Sequence, residues 1–377
     1  MGNSFRFDLD PFAIQFPGSF SIGPLHLDGI RWYGLAYLAG FLFGYLAIRY
    51  MAKKRTTPMK VDELADFVTM VAVGTMVGGR LGYCLFYSPA LLTEFTSSPP
   101  FWGVLKVYEG GMASHGGILG IMLVCWWWSK SRGLDVFHTL DLVTFGGSIG
   151  IFFGRIANFV NGELWGREAP AGLSWAVKFP QEMYGWTRDN LMKLMEITPA
   201  VTELGSIKTA NGETVQLTAE AWGNWVQHYR TDVQSWNLVN EVVEKLINAT
   251  QTGQTKVVAA LEPFLTARYP SQLIQSLLEG FFVFLILSLI WLKPRKPGIV
   301  AGMFGLCYAI ARIIGEQFRM PDAQIGYQWL GLTRGQWLSV GMLLFAIGFT
   351  YVAWRRPTKP IGGWGLTPSD SAKKPVA

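Results

Sequence analysis

A small set of polar side chains stands where the surrounding chain is apolar. Arg80 follows Gly78-Gly79, and His115 lies in the run Ser114-His115-Gly116-Gly117. Arg155 heads a stretch that continues through Asn158 and Asn161 to Glu163. Arg312 precedes Glu316 by four residues, one helical turn, on the same face. Asp141 and Glu279 complete the set. Guanidinium groups bind phosphate through paired N–H donors, and imidazole accepts a proton near neutral pH. The inventory therefore suits a phosphate-bearing ligand and a proton transfer. An ionisable group in a bilayer is costly unless paired or wetted, so each is a candidate functional residue.

Most of them have a structural alternative. Arg80 serves either as a ligand for an anion or as a tie to backbone carbonyls of a neighbouring segment. Arg312 with Glu316 forms a plain ion pair or an arginine whose remaining donors reach phosphate. Arg155 snorkels from a helix end or, with Asn158, Asn161 and Glu163 beside it, belongs to a site. His115 is flanked by glycine pairs whose bare backbone admits close approach of a ligand. Tyr33 and Tyr308 offer hydroxyl donors, or are ordinary interface tyrosines.

The elements that must position these groups are helices in a membrane. Apolar stretches run over 31–51, 64–87, 113–129, 136–154, 272–292, 299–319 and 337–354, each about 17–25 residues and long enough to span. Basic clusters follow them: Lys53-Lys54-Arg55, Lys130 with Arg132, Lys293 with Arg295 and Lys296, Arg355-Arg356, and Lys373-Lys374. With the N-terminus outside, every cluster falls on the cytoplasmic side. The sequence thus predicts an all-α integral membrane protein with seven spans, an outer N-terminus, a cytoplasmic C-terminus and an extracytoplasmic head. Residues 1–167 would hold the N-terminal segment and spans one to four, 168–268 the head, 269–354 spans five to seven, and 355–377 a cytoplasmic tail. At 1.5 Å per residue, Arg80 and Arg312 lie about 24 and 20 Å from the cytoplasmic starts of their spans, level with His115 and Arg155 at the outer face. Four basic groups at one depth call for an anion, and a phospholipid phosphate is available there.

Composition agrees. Half of the 377 residues are apolar, 15% are charged and 14% are aromatic, which disfavours a soluble enzyme and suits a membrane boundary. The net charge of +6 does not mark a nucleic-acid binder, because 181–268 carries ten acidic against seven basic residues and the remaining excess sits between apolar runs. Cys84, Cys125 and Cys307 fall in apolar stretches in odd number, so no disulfide framework is implied. No zinc spacing, phosphate-binding loop or nucleophile elbow is present, and neither metal nor cofactor is expected. Glycines spaced by four, at Gly74, Gly78 and Gly82 and at Gly116 and Gly120, predict closely packed helix faces. In the head, Trp236, Val239, Val243 and Leu246 predict an amphipathic helix, packed on a small core or lying on the membrane.

These motifs resemble the phosphatidylglycerol–prolipoprotein diacylglyceryl transferase family of bacterial membranes. The likeness rests on Trp32-Tyr33-Gly34-Leu35, the run from Gly78 to Tyr83, Ser114-His115-Gly116-Gly117, the run from Gly154 to Gly166, Pro270-Ser271-Gln272-Leu273 and the run from Arg319 to Gln324. It implies transfer of the diacylglyceryl group of phosphatidylglycerol to the lipobox cysteine thiol of a preprolipoprotein, giving a thioether and glycerol phosphate, in the bacterial inner membrane. It also implies that His115 is the essential histidine and that Arg155 and Arg312 bind the headgroup. Asn158, Glu163, Gly166, Tyr33 and Tyr308 match further functional positions, and Glu316 matches an acid that orients the second arginine. Arg80 lies within one of the shared motifs. His115 is then either the base that activates the thiol or a residue that positions the headgroup. The chain departs from the pattern at Ala157, Tyr269 and Ile274, and its head is longer than usual. A carrier or flippase for an anionic lipid is the competing expectation, disfavoured by the outer-face clustering and the absence of a visible repeat.

Overall fold

The computed structural model describes residues 5–22, 25–97, 99–209, 212–321 and 326–364; Asp322, Ala323, Gln324 and the Lys373-Lys374 cluster lie outside the described residues. The chain divides into two units. The larger comprises Phe12–Ile156, Gln275–Glu316 and Pro321–Ala377, the smaller Met1–Pro11, Ala157–Ile274 and Gln317–Met320.

Among the described residues, seven helices organise the larger unit: α1 (Trp32–Lys53), α2 (Leu64–Phe86), α3 (Ser114–Arg132), α4 (Val136–Val160), α5 (Ser271–Ile290), α6 (Ile299–Gly315) and α7 (Arg334–Arg355). The end of α4 and the start of α5 belong to the smaller unit. Five of them, α1, α2, α4, α5 and α7, are long and apolar enough to cross a membrane. The other two expected spans are present as helices but differ in kind. α6 is apolar and only 17 residues long, and α3 carries Ser114 and His115 at one end and Ser129 to Arg132 at the other, which dilute its hydropathy.

Small residues bring these helices together. A Cβ placed on Gly82 of α2 would lie 2.8 Å from the Cα of Gly116 in α3, and one on Gly40 of α1 would lie 2.9 Å from the Cα of Gly150 in α4. Such spacing leaves no room for a side chain, so glycine at these points is what permits backbone contact. Asp141, one of the acids inside an apolar run, has a structural task. It is 1% exposed, and its two carboxylate oxygens accept the N–H groups of Gly298 and Ala301 at 2.8 and 2.7 Å, satisfying the start of α6.

The fold is mainly helical, with short strands that an all-α expectation omits. Phe12–Ile22 pairs antiparallel with Leu25–Arg31 ahead of α1, where Phe12, Ile14 and Phe16 alternate with polar or small residues. In the smaller unit, Phe5–Arg6, Val177–Lys178 and Ala267–Arg268 form a three-stranded sheet. That unit has its own core around Trp222, Leu194, Val239, Val243 and Leu246. The helix Val233–Gln251 starts at Asp232, whose carboxylate accepts from Gln234 and Ser235 N–H. Its apolar face is packed on this core, but through Val242 rather than Trp236, which stays half exposed.

Candidate functional site

Arg155 lies near the C-terminal end of α4, Arg312 in the last turn of α6, and Glu279 in the middle of α5. The helical hydrogen-bond pattern of α5 widens over Ser276–Phe282 into a π-type stretch. Such stretches carry one extra residue per turn and often mark functional sites. Close packing supports it: a Cβ on Gly280 would meet Phe152 of α4 at 2.6 Å from its N and Cβ atoms, and the Ser276 hydroxyl donates to the Phe152 carbonyl at 2.9 Å.

Glu279 is completely buried and uses both oxygens. Oε2 accepts from Arg155 Nη2 at 2.8 Å and Nε at 3.3 Å, and Oε1 accepts from Arg312 Nη1 at 3.1 Å. Arg312 Nη2 meets Glu316 at close range. Glu316 is itself 4% exposed and accepts from the Thr333 hydroxyl at 3.1 Å, at the capping box that starts α7. Tyr308, one turn before Arg312, is within electrostatic reach of Glu279 and both arginines. Two arginines and two carboxylates make the cluster formally neutral. The anion expected among the cations is therefore supplied in part by the protein. The guanidinium side chains keep 15% and 12% exposure while Glu279 has none, so the cationic face is the open one.

The other sequence-derived residues fall in three places. Arg80 is 4% exposed and donates to the carbonyls of Gly103, Val104, Lys106, Gly110 and Gly111. Five bonds match the five N–H donors of a guanidinium, so the backbone carbonyls of this segment meet every donor of Arg80, the arrangement of the structural alternative. His115 is the second residue of α3 and is exposed. Among the described residues no hydrogen bond or ion pair engages its ring or joins it to the arginines. Tyr33 stands in the first turn of α1, its hydroxyl 3.3 Å from that of Tyr37.

Asn158, Glu163 and Gly166 belong to the smaller unit. Asn158 Nδ2 donates to Glu163 Oε1 at 2.6 Å, and Gln272 Nε2 donates to the Glu163 carbonyl at 2.6 Å. Gly166 bonds through its N–H to the Tyr269 carbonyl and bridges Arg319. A Cβ there would lie 2.7 Å from the Phe318 carbonyl oxygen, so glycine is required by backbone approach. In the sequence Glu279 is one of the ionisable candidates in an apolar run, with no specific partner or task. The available signal was arithmetic: two arginines in apolar runs and one adjacent acid, Glu316, leave one charge to be met.

Among the described residues, no group of three or more His, Cys, Asp or Glu side chains is placed to hold a metal ion. Comparison with known proteins gives a consistent picture. A family model described as prolipoprotein diacylglyceryl transferase matches residues 17–352. A protein of Bdellovibrio bacteriovorus named phosphatidylglycerol–prolipoprotein diacylglyceryl transferase is 44% identical over 95% of this chain and 96% of its own. Proteins of the same name from Azospirillum brasilense and Neisseria gonorrhoeae are 35% and 33% identical, over 92% and 88% of this chain and 98% and 93% of theirs.

Proposed function

Because the chain belongs to the prolipoprotein diacylglyceryl transferase family, we propose that Arg155 and Arg312 hold the phosphate of its lipid substrate. The reaction moves the diacylglyceryl group of phosphatidylglycerol to a cysteine thiol of a prolipoprotein. A carbon–sulfur bond forms as the carbon–oxygen bond to phosphate breaks, the thiol proton passes to a base, and glycerol phosphate leaves. The observation that carries the assignment is the arginine pair on the buried carboxylate of Glu279. Guanidinium groups fixed in advance by Glu279 and Glu316 stabilise charge growing on a departing phosphate without reorganising, and they do so best where water is scarce.

His115 is exposed and its ring is unengaged, which suits a base that meets an incoming thiol. A headgroup-positioning role is the alternative. Tyr308 contributes its hydroxyl beside the arginines, and Tyr33, Asn158, Glu163 and Gly166 act in substrate binding. The helices α3 and α6 also cross, giving seven spans with the N-terminus outside, 168–268 as a periplasmic head and 355–377 in the cytoplasm of a bacterial inner-membrane protein. The basic clusters after α1, α3, α5 and α7 support that orientation.

The test is mass spectrometry of a lipobox peptide incubated with purified protein and phosphatidylglycerol, beside Arg155→Ala. Addition of a diacylglyceryl mass by the wild type and its loss in a folded variant are expected. Intact lipid and unmodified peptide with well-folded wild type would return the carrier reading.

A further inference from the structure

The amide of Gln275 is fully buried, and neither Oε1 nor Nε2 has a hydrogen-bond partner within the protein. The neighbouring buried amide Gln272 leaves only Oε1, having committed Nε2 to the Glu163 carbonyl. Among the described residues, Gln275 is the one buried amide that leaves both its donor and its acceptor unpartnered. Burying such a pair unsatisfied is unfavourable, and an apolar side chain of the same length would avoid the cost. A packing role gives no reason for glutamine.

Its position supplies one. Gln275 precedes the π-type stretch and stands four residues before Glu279. A Cβ on Gly315 of α6 would lie 3.1 Å from Gln275 Cγ, 3.7 Å from its Nε2 and 3.1 Å from Glu279 Oε1. The amide and the carboxylate therefore flank the same bare point on α6, three residues beyond Arg312, which bonds that same Oε1. Arginines recognise a phosphodiester without reading the alcohol esterified to it. A hydroxyl both donates and accepts, which is the complement of an amide with both ends unspent.

We propose that Gln275 hydrogen-bonds a hydroxyl of the lipid headgroup and so selects a hydroxylated phosphodiester over one whose alcohol lacks hydroxyls. The inference rests on the reading of Arg155 and Arg312 as the phosphate site. In the reaction, one substrate hydroxyl replaces the missing partners of the amide, and a headgroup without it leaves both ends unsatisfied.

The test compares phosphatidylglycerol with phosphatidylpropanol of the same acyl chains, for wild type and Gln275→Met. Wild type should favour phosphatidylglycerol in kcat/KM. Gln275→Met should lose about tenfold on phosphatidylglycerol, change little on phosphatidylpropanol, and melt at the same or a higher temperature. Unchanged discrimination in the variant, or an equal loss on both lipids with a lower melting temperature, would overturn the proposal. Should the variant not fold, wild type alone decides: glycerol phosphate should raise its melting temperature more than propyl phosphate does, and equal shifts count against the hydroxyl contact. A wild type that transfers from neither lipid removes the phosphate site itself.

Discussion

Arg155 and Glu279 form a pair in which the carboxylate is wholly buried while the guanidinium, 15% exposed, is not. The same carboxylate reaches Arg312 through its other oxygen, so one acid fixes two cations at once. Removing one member of such a buried arrangement leaves the others uncompensated.

Glu279→Gln should therefore destabilise the protein by about 3–5 kcal/mol and abolish transfer. The informative reading is thermal unfolding with added glycerol phosphate. An anion should restore more stability to the variant than to the wild type, because it replaces the lost charge. Equal shifts in both would show that the arginines do not face the ligand.

His115→Gln should abolish transfer while moving stability by less than about 0.5 kcal/mol, as expected for an exposed residue without partners. Mass spectrometry of the peptide and a melting curve on one preparation check both. Transfer that survives would remove His115 as the base.

Arg80→Ala should act through structure. Carbonyls of the 103–111 segment would lose their donor, at a cost of about 1–3 kcal/mol for each that stays buried. Hydrogen exchange and limited proteolysis should show 103–111 opening first, and Arg80→Lys, with three donors, should restore only part of the protection. A variant with wild-type exchange in that segment would refute the clamp.

Asp135 and Arg356 give a pH dependence. Partial burial pushes the Asp135 carboxyl up, but bonds from Arg356 and from the Phe137 and His138 N–H groups outweigh it and hold it below its ordinary value of 3.8. A depressed carboxylate stabilises the fold above its unfolded value and loses that contribution as pH falls through the folded one. The melting temperature of Asp135→Asn should thus lie below wild type near neutral pH, and the gap should close below about pH 4. A gap that persists in acid would assign the effect to packing.

Single residues show how far the sequence could be read. Arg155, Arg312 and Glu316 were visible because a charge in an apolar run is rare, and Gly82 and Gly116 because their spacing is local. Glu279 was visible as a buried acid, but its two partners lie on other helices and no spacing encodes such a meeting. Arg80 was undecidable for a related reason: whether its donors are spent depends on how 103–111 folds, and carbonyls carry no residue identity. In the smaller unit, the period of Val233–Gln251 was legible, while the choice of Val242 over Trp236 depended on the neighbours Trp222 and Leu194.

The widened stretch of α5 also takes up about one extra residue while its flanks stay in phase. A π-type turn holds about one residue more than an α turn, so deleting one residue from Ser276–Phe282 would let regular winding close over the gap and leave the two flanks near their present phase. Gln275 upstream and the buried Val283 and Leu287 downstream would keep their facing, whereas a deletion in the regular part of α5 would turn everything beyond it by about 100°. Within this span those seven residues are accordingly where a change of count disturbs the flanking packing least, while the identities of Glu279 and Gly280 inside them stay fixed by their partners.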